Sequence, residues 1–129
     1  MMKNINMIAR ILLGLIFLVD GLNGFLHFMP SQPINGSAGV FIGGLIGSGY
    51  FFQFLQICEI VAGLALLIDI LVPLFLLFLA PITINIFLFH LFLERDGFIL
   101  STFLLLLHIY VLIVYMKYYR QLFTLKASV

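Results

Sequence analysis

From Val72 to Leu93 the chain runs for 22 residues without a charge. A run of that length has few ways to be buried, since about 20 apolar residues in helical form span the hydrocarbon core of a bilayer. Three more stretches are of the same kind: Met7 to Phe28, Gly49 to Leu71 and Phe98 to Met116. Of the 129 residues, 64% are hydrophobic and 9% charged, so a chain this small has no polar shell to cover its apolar surface in water. The expectation is an all-α integral membrane protein, a single transmembrane domain over 1–129, with four crossing helices.

The connections set the topology. Asp69 and Pro73 mark a tight turn between the second and third spans, because proline fits the first turn of a helix and not its interior. Glu94-Arg95-Asp96-Gly97 is the turn between the third and fourth. Links this short force antiparallel neighbours and predict an up-down-up-down bundle. Lys3 and Arg10 flank the first span and Lys117, Arg120 and Lys126 follow the fourth, whereas the first loop has no Lys or Arg. Both termini are therefore expected on the cytoplasmic side, with Tyr115, Tyr118 and Tyr119 as anchors at the inner boundary and Tyr50 at the outer one. No small-residue cleavage site follows the first span promptly, which argues against a signal peptide.

The first loop, Pro30 to Ser48, opens with turn residues (Pro30, Pro33, Asn35-Gly36) and continues as "SAGVFIGGLIG", too short to cross. Gly39, Gly43 and Gly47 recur every fourth residue. That pattern predicts a short interfacial or re-entrant helix lying close against a neighbour through its glycine face; a flexible interfacial loop is the alternative. The glycines form no phosphate cradle, since neither a preceding strand nor a GK[ST] signature accompanies them.

Polar residues inside the spans decide function. At 1.5 Å per residue, Asp20, Glu59, Asn85 and His108 fall within roughly 5 Å of the midplane. Asn23, Gln56 and His90 form a layer further out, and His27 and Gln53 one near the outer mouth. The cytoplasmic half of every span reads as almost purely apolar. Asp20, Asn23, Gly24 and His27 share one helix face, while Asn85 and His90, five residues apart, differ by about 140° and cannot both face the bundle axis. An acid or base at such depth costs about 2.5–3.5 kcal/mol, so each needs a partner or a task. Asp20 has no base near it on its own helix, and its expected partner is His90 or His108. Interhelical hydrogen bonding accounts for Asn23, Gln53 and Asn85 as readily as function does, His108 suits a satisfied core histidine, and Glu59 favours function.

Other chemistries find less support. Asp20, His27, Glu59, His90 and His108 include metal-ligand types, but lie in three layers without a Glu-x-x-His or HExxH spacing, so no metal is expected. Cys58 is the only cysteine, which rules out an intrachain disulfide and a CxxC pair. Six Lys and Arg without a basic cluster beyond the C-terminal tail argue against nucleic acid. Neither Ser101 nor Cys58 has an evident base on its own helix.

The stretches "ARILLGLIFLVDGLNGFLHFMP", "CEIVAGLALLI" and "LAPITINIFLFHLFL" together resemble the DoxX-like family of small four-span membrane proteins. The similarity runs from Ala9 to about Met116, strongest at Gly21 to Phe25, at Glu59 with Gly63, and at Asn85 with His90. Each pattern is short; their order and spacing carry the resemblance. In that family the position of Asp20 is usually apolar, often aromatic, so the resemblance gives Asp20 no family-wide role. It implies a four-helix bundle in a prokaryotic inner membrane, often tied to redox or quinone chemistry, as in small subunits of thiosulfate:quinone oxidoreductase.

The resulting expectation is a quinone- or lipid-binding accessory subunit in membrane redox metabolism, with a polar pocket in the outer half of the bundle. A lipid-open wedge lined by Phe51, Phe52, Phe87 and Phe89 would hold an isoprenoid tail or ring, with Glu59 and His90 bonding quinone oxygens and moving protons. Asn85, Asn23, Gln56, Asp20, His27 and His108 complete the candidate set. No intrinsic cofactor is expected, so electrons would come from a redox partner protein; membrane lipids and a homo-oligomer are the other expected partners. The alternative is a non-enzymatic assembly factor or small-solute and proton conduit using the same pocket, and a third reading is a structural bundle held by hydrogen bonds.

Overall fold

The computed structural model describes residues 1–28 and 34–128. Pro30 and Pro33, expected to open the first loop, lie outside the described residues. Five α-helices follow in order: α1 Met2–Leu26, α2 Gly36–Gly47, α3 Phe51–Ile68, α4 Val72–Phe92 and α5 Phe98–Val114. A 3-10 turn, Arg95–Gly97, leads into α5, and a longer 3-10 segment, Met116–Phe123, follows it. Among the described residues there are no strands, and α1, α3, α4 and the Arg95–Val114 stretch are each long and apolar enough to cross a membrane. The chain is an all-α four-helix bundle of membrane-spanning type. The first helix starts at Met2 rather than Met7, because nothing between them breaks a helix and Asn6 is held there by Tyr110 (2.6 Å).

Helix ends explain the turns. His27 ends α1 and Asp69 ends α3, both in the left-handed region (φ 51° and 61°) that closes a helix by turning its last amide inward. Leu71 repeats that conformation (φ 53°) just before α4, so the corner turns within Asp69–Leu71 and Pro73 sits in the first turn of α4.

The four long helices neighbour one another in the ring α1–α3–α4–α5, with α1 and α3 the most extensively packed pair. Glycines set that closeness. A Cβ on Gly63 would lie 2.7 Å from the Leu18 amide nitrogen and 2.8 Å from the Gly14 carbonyl oxygen, so only a hydrogen fits there. Leu13 and Phe17 of α1, Leu66 of α3, Leu76 and Leu79 of α4 and Val111 of α5 fill the centre.

Three expectations change. α2 exists, but its glycine face does not dock: Cβ atoms at Gly43 and Gly47 would meet nothing within 4 Å, and at Gly39 only the carbonyl of Ile34 in its own approach. The helix seats instead through buried Ala38 and through Phe41, whose ring lies 5.7 Å from that of Phe89. Nor is the end that carries both termini free of polar contacts. Buried Arg10 donates to the Leu66 carbonyl and, at 3.5 Å, to that of Leu67, the open carbonyls at the C-terminus of α3; Asp69 stands 3.8 Å away. Tyr119 is 4% exposed and donates to the Pro73 carbonyl at 2.6 Å, so it is a clasp between the tail and α4 rather than a surface anchor.

Candidate functional site

The opposite half of the bundle, toward α2 and the α4–α5 turn, holds Asp20, Asn23, His27, Gln56, Glu59, Asn85 and His90. Asp20 on α1 lies beside Glu59 on α3, close enough for the two carboxyl groups to interact. Glu59 is 2% exposed. With its amide nitrogen turned inward, Gln56 donates to the Asp20 backbone carbonyl and to Glu59 Oε2, both at 3.1 Å. Gly24 makes room for this, because a Cβ there would stand 2.4 Å from Gln56 Cδ. The partner of Asp20 is another acid, not His90 or His108 as expected.

His108 is engaged elsewhere. Its Nε2 lies 2.9 Å from the Leu76 carbonyl and its Nδ1 2.7 Å from Thr83 Oγ1. The carbonyl can only accept, which puts the ring proton on Nε2 and makes the Thr83 hydroxyl the donor to Nδ1. Both nitrogens are satisfied, and the group ties α5 to α4. Thr83, fully buried, went unnoticed in sequence; a hydroxyl in the middle of an apolar span was its only signal.

His90 packs against the α4–α5 turn. Its Nδ1 bonds the Glu94 carbonyl at 2.9 Å, which assigns that nitrogen the proton, and its ring lies directly over Gly97. Asn85 is exposed on the lipid side of α4 and donates to the Pro81 carbonyl of its own helix at 3.1 Å. It lines a groove of about 250 Å³ with Phe41 and Phe89. Asn23 is half-buried, its backbone carbonyl accepting from the amide of His27, which is exposed at the end of α1. Asp20, Gln56 and Glu59 thus come together, whereas Asn85, His27 and His108 are each elsewhere. Among the described residues, no three His, Cys, Asp or Glu side chains converge as metal ligands.

A second cavity, of about 460 Å³, lies between α1, α4 and α5. Its wall is apolar, with Phe17, Ile86 and Leu104, except where Asp20, His90 and Ser101 reach it. This is a lipid-type wedge, but not the one expected. Phe51 stacks with Tyr50 and Phe54, Phe87 with Phe98, and Phe89 with Phe41, and neither these three nor Phe52 lines the cavity. α3 sits on the far side of α1, and aromatic rings at the helix ends pair with their nearest neighbours. Glu59 does not reach the cavity either; it stands behind Asp20.

Compared with family models, residues 5–91 match the one described as DoxX. The match includes Asp20, Glu59, Asn85 and His90 and stops short of His108. No curated protein and no solved structure matches the chain.

Proposed function

This chain belongs to the DoxX family, a premise from which we propose that it is a quinone-binding accessory subunit of a prokaryotic inner membrane, with both termini cytoplasmic. The wedge between α1, α4 and α5 carries this reading. It is large enough for a substituted ring, it is apolar apart from Asp20, His90 and Ser101, and it stands among spans that present apolar side chains to lipid. A quinone ring seated there has its oxygens within the polar part of the wall and its isoprenoid tail among the lipids.

The two ends of that wall have complementary roles. His90, protonated on the nitrogen that bonds Glu94, offers its other nitrogen as an acceptor for a quinol hydroxyl. Asp20, the carboxyl that lines the cavity, is placed to pass a proton to a quinone oxygen. Reducing a quinone to a quinol takes two electrons, supplied by a partner protein, and two protons, drawn from the aqueous phase and relayed one through Asp20 and one through the free nitrogen of His90. The test is mass spectrometry of the protein extracted in mild detergent. A quinone retained by the wild type and lost from Asp20→Asn/His90→Ala is the expected result. If no quinone accompanies the wild type, the quinone reading is wrong, and a tight complex with another membrane protein would then favour an assembly role.

A further inference from the structure

Asn85 raises a separate problem, which concerns the outside of the bundle. Leu77, Phe78, Pro81, Ile84, Asn85 and Leu88 form one exposed stripe along α4. Five of the six suit lipid. Asn85 does not. It lies three residues past Ile82, the middle of α4, hence about 4.5 Å from the helix centre, while the lipid headgroups begin about 15 Å away. One of its N–H groups is used on the Pro81 carbonyl of its own helix. The other N–H and the side-chain carbonyl have no partner among the described residues, and hydrocarbon supplies neither donors nor acceptors.

We propose that α4 pairs with α4 of a second copy of this chain, with the two Asn85 amides facing each other across a two-fold axis along the membrane normal. An amide exposing one donor and one acceptor is complementary to itself, and two copies form two N–H···O bonds that satisfy all four exposed groups. Copies inserted in the same direction hold Asn85 at the same depth, so a residue near such an axis meets its own counterpart. The contact is isologous and closes as a dimer. The groove beside Asn85, bounded by Phe41, Leu88 and Phe92, leaves space for apolar side chains of the second copy. A ligand with acceptors alone, or a lipid chain, leaves the Asn85 carbonyl unsatisfied.

The test measures dimerisation in lipid vesicles, by cross-linking and by native mass spectrometry of the extracted protein. In a Cys58→Ser background, Leu88→Cys should form an intermolecular disulfide, while Ile99→Cys, highly exposed on α5, should not. Asn85→Leu should weaken the dimer roughly tenfold, the scale of two interhelical hydrogen bonds, and Asn85→Gln should retain most of it. A monomeric wild type, an equally dimeric Asn85→Leu, or cross-linking through Ile99→Cys in place of Leu88→Cys would each overturn the proposal. Asn85→Leu places an apolar side chain against lipid, so its folding is not at risk. Because Asn85 lies outside the wedge, these results leave the quinone reading untouched.

Discussion

The two ends of the bundle use the same kinds of side chain to opposite effect. At the end that carries the termini, three polar side chains reach across to another element: Arg10 to the last carbonyls of α3, Asn6 to Tyr110, Tyr119 to the carbonyl of Pro73. These contacts tie helix ends together. Toward α2, His90 bonds the turn that follows its own helix, Asn85 bonds its own helix, and Asp20 pairs with Glu59 across the α1–α3 contact. None of these contacts draws α1 against α5, and the wedge lies there. A polar residue in a membrane bundle is glue where it meets another helix's open backbone, and a site where it borders unfilled space.

The most damaging change should strike the frame that both ends share. Gly63→Leu puts a side chain where the α1 backbone stands under 3 Å away, and backbone cannot turn aside as a side chain does. A loss of about 3 kcal/mol is expected. Buried Cys58 lies on α3, so the rate at which a thiol-reactive dye labels it on heating reports the loss directly. Unchanged labelling would mean that α1 and α3 are not held together by this contact.

Arg10→Met comes next and acts on the terminal end alone. It leaves the Leu66 and Leu67 carbonyls without their charged donor, at a cost of about 2 kcal/mol. Asp69 is 64% exposed, so the ion pair adds little to that figure. On the proposed function, the amount of quinone retained should not change. A variant that kept its stability but lost the quinone would reverse the roles assigned to the two ends.

The spans and their order were legible because membrane insertion leaves so few solutions for apolar runs of this length. Neighbour relations followed from the short turns. What stayed hidden depended on rotation about helix axes. Asp20 and Glu59 lie on different helices, and whether two acids meet depends on how closely those helices approach, which Gly14 and Gly63 decide. The glycine pattern in α2 looked like a packing face, yet the bulkier Phe41 found a ring to pack against. Phe51 and Phe87 have the chemistry of a quinone pocket but sit at helix ends with aromatic neighbours of their own. Arg10 looked like a flanking charge because its target, the unbonded carbonyls ending α3, is backbone and leaves no trace in the side-chain pattern.

Tyr119→Phe removes one clasp and should cost about 1 kcal/mol. It also carries a pH signature. Burial, reinforced by Tyr115, pushes the Tyr119 hydroxyl up to about 12, whereas an unfolded tyrosine ionises near 10. Between about 10 and 12 the folded chain therefore holds a proton that the unfolded chain has lost, so stability falls as pH rises through that window and is unaffected below it. The thermal midpoint should drop less steeply there in Tyr119→Phe than in the wild type. Equal slopes would show that the hydroxyl is not buried against Pro73.

Gly97→Ala should have the smallest effect on stability, and it separates the two ends most cleanly. The backbone at Gly97 (φ −97°) accepts alanine without strain. The three atoms nearest the added methyl all belong to His90, Cε1 at 2.4 Å first, so the imidazole must swing away and give up its bond to the Glu94 carbonyl. A displaced, part-buried ring costs on the order of 1 kcal/mol or less. Its effect on the wedge should be larger in proportion, because the acceptor nitrogen leaves the position it holds beside the cavity. The expected result is a near-wild-type rate of Cys58 labelling with a several-fold fall in retained quinone, the converse of Arg10→Met. If Gly97→Ala instead destabilises the bundle as much as Arg10→Met does, His90 is holding α4 to the turn, and the loop end is as structural as the other.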